Sequence, residues 1–258
     1  MDSLVPDDLK GDPTALAHPE VVDLLHGVVW SRLGNGQQAW AWWDRVREPG
    51  LQSWLLAERG RVVRELGLHE RAERFDAEAL ERATKPVDMV RARIGLVADA
   101  VGNGRADVAA DRLTAVDGLL DRLADGPEVA RQRLRRSWVT VEVDLMRGED
   151  VAVDELPEWG ESGPVLPADY ASGTTFHRAK GLLFAGVVRN DPRLLDAAAM
   201  LAPPVLRWAV HLARADQGVP GAMAAAADAW AMIVPPGPFA DAVAATPTAQ
   251  RLMGARRR

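Results

Sequence analysis

The stretch 54–84, WLLAERGRVVRELGLHERAERFDAEALERAT, reads as two helices folded back on each other about Gly67. Apolar residues recur at helical spacing on both sides of that glycine, namely Leu55, Leu56, Val62, Val63 and Leu66 before it and Ala72, Phe75, Ala79 and Leu80 after it. Glycine permits the left-handed backbone that reverses the chain, and small residues let antiparallel helices approach closely. The stretch therefore predicts a helical hairpin.

The same outline recurs along the chain. Pro19 begins a predicted helix that ends at Gly34, and a second helix follows as far as Pro49. A third hairpin follows Pro86 and turns at Gly104. Residues 131–147 then place Leu134, Trp138, Val141 and Leu145 on one helical face, and further helices are predicted near 174–188, 193–201, 204–215 and 220–233.

Aligning the breaks between helices exposes a loose repeat. The break residues are Gly34, Gly67, Gly104, Gly148, Asn190 and Gly218, and the residues five positions further on are Ala39, Ala72, Ala109, Val153, Leu195 and Met223, all small or aliphatic. The unit that starts at Gly148 fails, because Pro157 falls where a helix would run. The breaks are unequally spaced, so the repeat is irregular.

These patterns predict an all-α fold, an array of antiparallel helical hairpins with about 10–12 helices. The predicted segments are an N-terminal extension (1–18), helical hairpins (19–147), an acidic Pro/Gly loop (148–173), C-terminal helical hairpins (174–246) and a basic tail (247–258) that we expect to fray.

The hairpins resemble the tetratricopeptide repeat (TPR) family. The residues that carry the resemblance are Gly60, Gly67, Ala72 and Ala79 in the clearest unit and Gly27, Gly34 and Ala39 in the first hairpin. The resemblance covers about residues 20–125 and, more weakly, 174–233. It implies a right-handed superhelix whose concave groove binds a peptide or a partner protein, although the family's full carboxylate clamp is not matched here. The alternative fold is a plain helical bundle, in which glycine also joins antiparallel helices.

Composition narrows the possible functions. The 258 residues include no cysteine, which excludes disulfides and thiolate metal sites and suits the cytoplasm. The net charge is -6, which disfavours nucleic acid as a partner. No signal peptide or membrane-spanning run is visible. The five histidines form no pair at metal-binding spacing, so we expect neither a metal nor another cofactor.

One cluster suits an anion. Thr174, Thr175, His177, Arg178 and Lys180 lie at a predicted helix N-terminus, where hydroxyls, free N–H groups and basic side chains would hold a phosphate or carboxylate. The competing interpretation is that Thr174 caps the helix and the basic residues pair with the acidic loop upstream.

A second basic group and one tryptophan are further candidates for binding. Arg131 and Arg135 share a helical face that would meet either a phosphate backbone or the acidic loop 149–169, which could then act as a built-in ligand. Trp42 is a candidate for an exposed aromatic contact.

The sequence thus favours a non-catalytic interaction module that recognises a protein or peptide on a groove or an exposed face of a curved array. A closed bundle around a deep polar cavity would contradict this hypothesis. The alternative is a small-molecule or anion-binding protein, possibly an enzyme, that uses His177, Arg178 and Lys180. Neither the identity of the partner nor the oligomeric state is indicated.

Overall fold

The computed structural model describes residues 18–151, 153, 156–167, 170 and 174–256. The predicted N-terminal extension, apart from His18, lies outside the described residues. Thirteen α-helices make up nearly all the regular structure described: α1 (Pro19–Arg32), α2 (Gly36–Trp43), α3 (Gln52–Glu65), α4 (His69–Glu81), α5 (Pro86–Gly102), α6 (Ala106–Leu120), α7 (Pro127–Arg147), α8 (Thr175–Val188), α9 (Pro192–Leu201), α10 (Pro204–Asp216), α11 (Ala222–Ala231), α12 (Ala240–Ala244) and α13 (Pro247–Arg256). The fold is all-α, as predicted.

Each of the six aligned break residues lies one or two positions after the end of a helix and has a positive φ. Gly67, for example, has φ +82°, and Asn190 is the one non-glycine residue with positive φ among those described, at +49°. The other four breaks, Gly34, Gly104, Gly148 and Gly218, also have positive φ. This left-handed conformation is open to glycine and tolerated by asparagine, and so the sequence pattern located every one of these turns.

Small residues allow the helices of a hairpin, and of neighbouring hairpins, to pack closely. Ala39, Ala72 and Ala109, each five positions after a break, are completely buried. The Asp76 carboxylate of α4 lies between Gly60 of α3 and Gly95 of α5, where an added β-carbon would come within 2.9 Å and 2.4 Å of it, respectively. The three helices are therefore held together around a buried acid.

The fourth unit has no second helix among its described residues. After Gly148 the chain forms a two-stranded antiparallel hairpin of β1 (Glu158–Gly160) and β2 (Gly163–Val165) instead. The buried side chains of Leu156 and Tyr170 anchor this segment in the same apolar cluster as α7 and α8. The sequence predicted an irregular loop here, and the short β-hairpin within it was missed because three residues per strand give no readable alternation.

The array curves until its two ends meet. Six helices form an inner ring in which each packs against the next, in the order α1, α3, α5, α7, α8, α10 and back to α1. Backbone hydrogen bonds close the ring: Gly36 N–H donates to Val234 O at 2.7 Å, and Val234 N–H donates to Gly34 O at 2.8 Å. Within the described residues, the concave face of the array therefore lines the inside of a ring.

The C-terminal segment takes part in this closure. Residues 247–256, predicted as part of a frayed basic tail, form helix α13, and Ala249 and Leu252 are buried. They belong to the same apolar cluster as Leu24 and Trp43 of the first hairpin. The prediction of fraying was wrong for these residues because the apolar face of α13 has a partner only once the ends of the chain meet.

Candidate functional site

The inner ring surrounds a cavity of about 430 Å³. All six inner helices contribute side chains to its wall, and charged groups and aromatic rings lie next to each other there. The volume falls within the range of about 300–1,000 Å³ that is typical of small-ligand pockets. This cavity is the candidate functional site.

Most of the charges in the cavity wall are paired. Arg61 bonds to both Glu58 and Glu65, at 2.8 Å and 2.7 Å. Burial alone would raise the pKa of Glu58, but Arg61 and Arg32 outweigh burial and lower it to about 2. Glu128 is similarly bound by Arg91 and Arg131, and these cations overcome its burial and bring its pKa to about 2. These acids are therefore ionised and already engaged.

Arg135 and Lys180 differ from these pairs. No carboxylate of the described residues lies within 4.0 Å of either cation. Arg135 Nη1 donates to Gln132 Oε1 at 3.0 Å, and burial, with repulsion from Arg91, lowers the Arg135 pKa to about 10. The Lys180 ammonium lies 5.2 Å from the centre of the Trp138 ring and burial lowers its pKa. Two partly buried cations thus face the cavity without a carboxylate partner among the described residues.

Arg32 adds a partly satisfied cation. Its Nη1 is 3.7 Å from Glu65 but makes no hydrogen bond, and its guanidinium carbon lies 3.5 Å from the centre of the Phe176 ring. Burial, followed by repulsion from Arg61, lowers the pKa of Arg32 to about 9. A hydrogen-bond acceptor in the cavity would satisfy this nitrogen.

Among the charged groups near Lys180, Glu142 has the largest electrostatic effect, and it opposes the lowering of the Lys180 pKa by burial. The two groups nevertheless form no ion pair. Burial raises the pKa of Glu142, and the opposing fields of Lys180 and Arg64 only partly reverse the shift.

His177 completes the N-terminus of α8. Its Nδ1 accepts the Thr174 backbone N–H at 3.1 Å and lies 2.8 Å from Thr174 Oγ1, so its proton belongs on Nε2. Burial lowers its pKa well below 6.5, and repulsion from Arg32, Arg135, Arg131 and Lys180 adds to the shift. The imidazole is therefore neutral in the folded protein.

This neutral histidine makes stability depend on pH. The unfolded chain takes up a proton at residue 177 below about pH 6.5 and the folded chain does not, so acidification favours unfolding by up to about 1.4 kcal/mol per pH unit. His177→Asn keeps an acceptor for Thr174 N–H and is expected to reduce the fall in unfolding free energy between pH 7.5 and 5.5, measured in urea. Arg178→Gln is the neighbouring control. Equal pH slopes for the wild type and His177→Asn would contradict the assignment.

The cavity unites two groups of residues that the sequence analysis treated separately. Thr174, His177 and Lys180 of the anion cluster line it together with Arg131 and Arg135 of the basic run. The remaining candidates lie elsewhere: Thr175 and Arg178 are exposed, and Trp42 packs edge-on against His26 with its ring centroid 4.4 Å away. Described residues between 149 and 169 are not among the side chains that line the cavity.

Several cavity residues were missed in the sequence, although a signal was present. Two inner helices carry the same spacing of cavity residues, with offsets of four, seven and eleven from the first residue of each set. The sets are residues 131, 135, 138 and 142 of α7 and residues 54, 58, 61 and 65 of α3, and all eight line the cavity. Each set combines one tryptophan with three charged residues on one helical face. On α3 and α7, the helical face that combines charged residues with a tryptophan therefore points into the cavity. Regular apolar spacing indicates only the face that packs against other helices.

No protein-family model, curated protein or solved structure gives a significant match to the chain. Among the described residues, no helix combines the length and apolar character needed to cross a membrane. The same residues contain no group of three or more histidine, aspartate or glutamate side chains arranged to hold a metal ion.

Proposed function

We propose that the protein binds an anionic ligand in the central cavity, without catalysis. The observation that carries this proposal is the pair of partly buried cations, Arg135 and Lys180, that face the cavity with no carboxylate of the described residues within ion-pair distance. Burying an unpaired charge is costly, and an anion bound between these groups offsets that cost. Arg135 supplies planar N–H donors that suit a carboxylate or phosphate, and Lys180 supplies a mobile point charge.

We also propose that the array is TPR-like and that a peptide is the second candidate ligand. The turns, the small residues and the sequential packing of the hairpins support this relationship. The TPR family binds peptides on its concave face. The C-terminus of a peptide that entered the ring of this protein would present its α-carboxylate to Arg135 and Lys180. The volume of about 430 Å³ favours a small ligand over an extended segment of a folded partner.

The proposal is tested by thermal unfolding with inorganic phosphate, acetate and short acetylated peptides whose C-termini are either free or amidated. At one hundred times its Kd a ligand stabilises the fold by about 2.7 kcal/mol, or roughly 5–10 °C in Tm. We expect a rise in Tm with anions and with free C-termini. A response confined to free-carboxylate peptides would favour the second candidate.

Variants of the cavity residues show whether the anion-dependent rise in Tm comes from binding in the cavity. Arg135→Gln and Lys180→Gln should each reduce the anion-dependent rise in Tm. The matched controls are Arg133→Gln on α7, whose partner Asp125 is largely exposed, and Arg178→Gln on the outer face of α8. If no anion raises Tm, or if the controls reduce the rise as much as the cavity variants do, the proposed site is wrong.

A further inference from the structure

The cavity wall is chemically divided. Its charged side is formed mainly by α3, α5 and α7, which carry Glu58, Arg61, Arg91 and Glu128. Its other side, formed by α10, α11 and the second half of α8, presents Leu183, Phe184, Val205, Leu206, Ala209 and Trp230. A ligand that fills the whole space therefore meets ionic groups on one side and hydrocarbon on the other.

The apolar side is held in place by packing behind it. Trp208 and Trp230 meet edge to face with centroids 5.0 Å apart, and both belong to the apolar cluster that joins the first and last hairpins. Val205 and Leu206 are each 8% exposed. Side chains fixed in this way keep an apolar surface ready for a ligand, and contact with it removes apolar ligand surface from water.

Lys180 stands where the two sides meet. Its ammonium lies 5.2 Å from the centre of the Trp138 ring and 5.6 Å from that of Phe184, and the two rings are stacked with an interplanar angle of 13°. Trp138 comes from the same helix as Arg135, and Phe184 lies one turn beyond Lys180 on α8. An anionic group at Arg135 and Lys180 would thus leave the rest of its molecule against the apolar wall.

We propose that the ligand is an amphipathic anion, with a carboxylate or phosphate between Arg135 and Lys180 and an aliphatic or aromatic body against α8 and α10. This inference rests on the proposed function and adds the chemical class of the ligand. The charged head contributes electrostatic attraction, and the body contributes hydrophobic burial.

A series of straight-chain carboxylates tests the class of ligand. Calorimetric titration with acetate, butanoate, hexanoate and octanoate should show the Kd falling about fourfold for each added methylene until the apolar side is filled. Octan-1-ol, which keeps the body and lacks the charge, should bind at least tenfold more weakly than octanoate. Inorganic phosphate provides a charge with no body and should resemble acetate.

Two variants separate the halves of the site. Ala209→Phe fills the apolar side and should raise the Kd of octanoate at least tenfold while leaving that of acetate nearly unchanged; Arg135→Gln should raise both. Ala115→Phe, at an exposed position on α6, is the matched control for added bulk. Ala209→Leu serves as a smaller replacement if the thermal transition shows that Ala209→Phe fails to fold.

The outcomes distinguish this inference from the function it rests on. If acetate and phosphate bind as tightly as octanoate, or if Ala209→Phe leaves octanoate binding unchanged, the amphipathic ligand is excluded while anion binding stands. If octan-1-ol binds as tightly as octanoate, the charged head is excluded. If none of the anions binds, the proposed function fails and this inference fails with it.

Discussion

Replacing Arg64 by methionine is expected to lower the free energy of unfolding by about 3–5 kcal/mol. Arg64 Nε donates to Asp99 Oδ1 at 2.7 Å, and its Nη2 group bonds to Asp76. Asp76 is 1% exposed and Asp99 is completely buried. Without the guanidinium, two buried carboxyl groups would face each other with no cation between them, and either leaving them charged or protonating them costs free energy.

The dependence on pH identifies the cause of this loss. Burial raises the pKa of Asp76 well above 3.8, and the neighbouring Asp99 raises it further against the opposing field of Arg64. In Arg64→Met the folded protein therefore binds more protons than the unfolded chain, so its stability should rise as pH falls from 7 toward 4. Chemical unfolding at several pH values measures both effects.

Arg82→Met is the matched control for Arg64→Met. Arg82 pairs with Glu78 on the surface of α4, with side-chain exposures of 51% and 45%, and such pairs are worth about 0–1 kcal/mol. Adding Asp76→Asn and Asp99→Asn to Arg64→Met should recover part of the loss by removing both buried acids. A loss for Arg64→Met no larger than that for Arg82→Met would contradict the interpretation.

Gly27→Ala is expected to destabilise the first hairpin by about 2–4 kcal/mol. A β-carbon at residue 27 would lie 2.1 Å from Trp43 Nε1, and Trp43 is completely buried. The indole cannot move away without losing the hydrogen bond from Nε1 to Leu24 O, which is 3.1 Å long. The large, buried ring therefore makes even one methyl group costly at this position.

Gly118→Ala is the opposite case and serves as its control. Gly118 is an exposed residue of α6, and nothing lies within 4 Å of the β-carbon it would acquire. Alanine is a better helix former than glycine, so this variant should gain about 0.5–1 kcal/mol. Calorimetry on both variants tests the argument. A neutral Gly27→Ala would mean that helices α1 and α2 do not pack as closely as described.

Much of the fold was readable in the sequence because its signals are local. The turn residues Gly67 and Gly104 require a backbone conformation that few other residues adopt, and the apolar spacing around them requires a helix. Closure of the ring could not be predicted from the sequence. It depends on contacts such as that between Gly36 and Val234, which lie near opposite ends of the described chain and carry no distinctive residue pattern.

The candidate site was readable only in part for the same reason. His177 and Lys180 stood out through a helix N-terminus, and Arg131 and Arg135 through a basic run, but their meeting in one cavity depends on how α7 packs against α8. Arg32 was not recognised, since nothing near it in sequence distinguishes an inner helix from any other. Thr175 and Arg178 were predicted as binding residues because they are close in sequence to His177 and Lys180. Closeness in sequence does not show which face of α8 points into the cavity.

Closure of the ring also has a consequence for folding kinetics. Each hairpin is formed by contacts between residues close in sequence, which form quickly. The contact between Val234 and the turn at Gly34 and Gly36, by contrast, requires almost the whole described chain to come together. An open repeat array can begin folding at any unit and grow outward, with terminal repeats free to open. Here each inner helix has a neighbour on both sides. We therefore expect the complete cavity to form only after the two ends of the described chain have met.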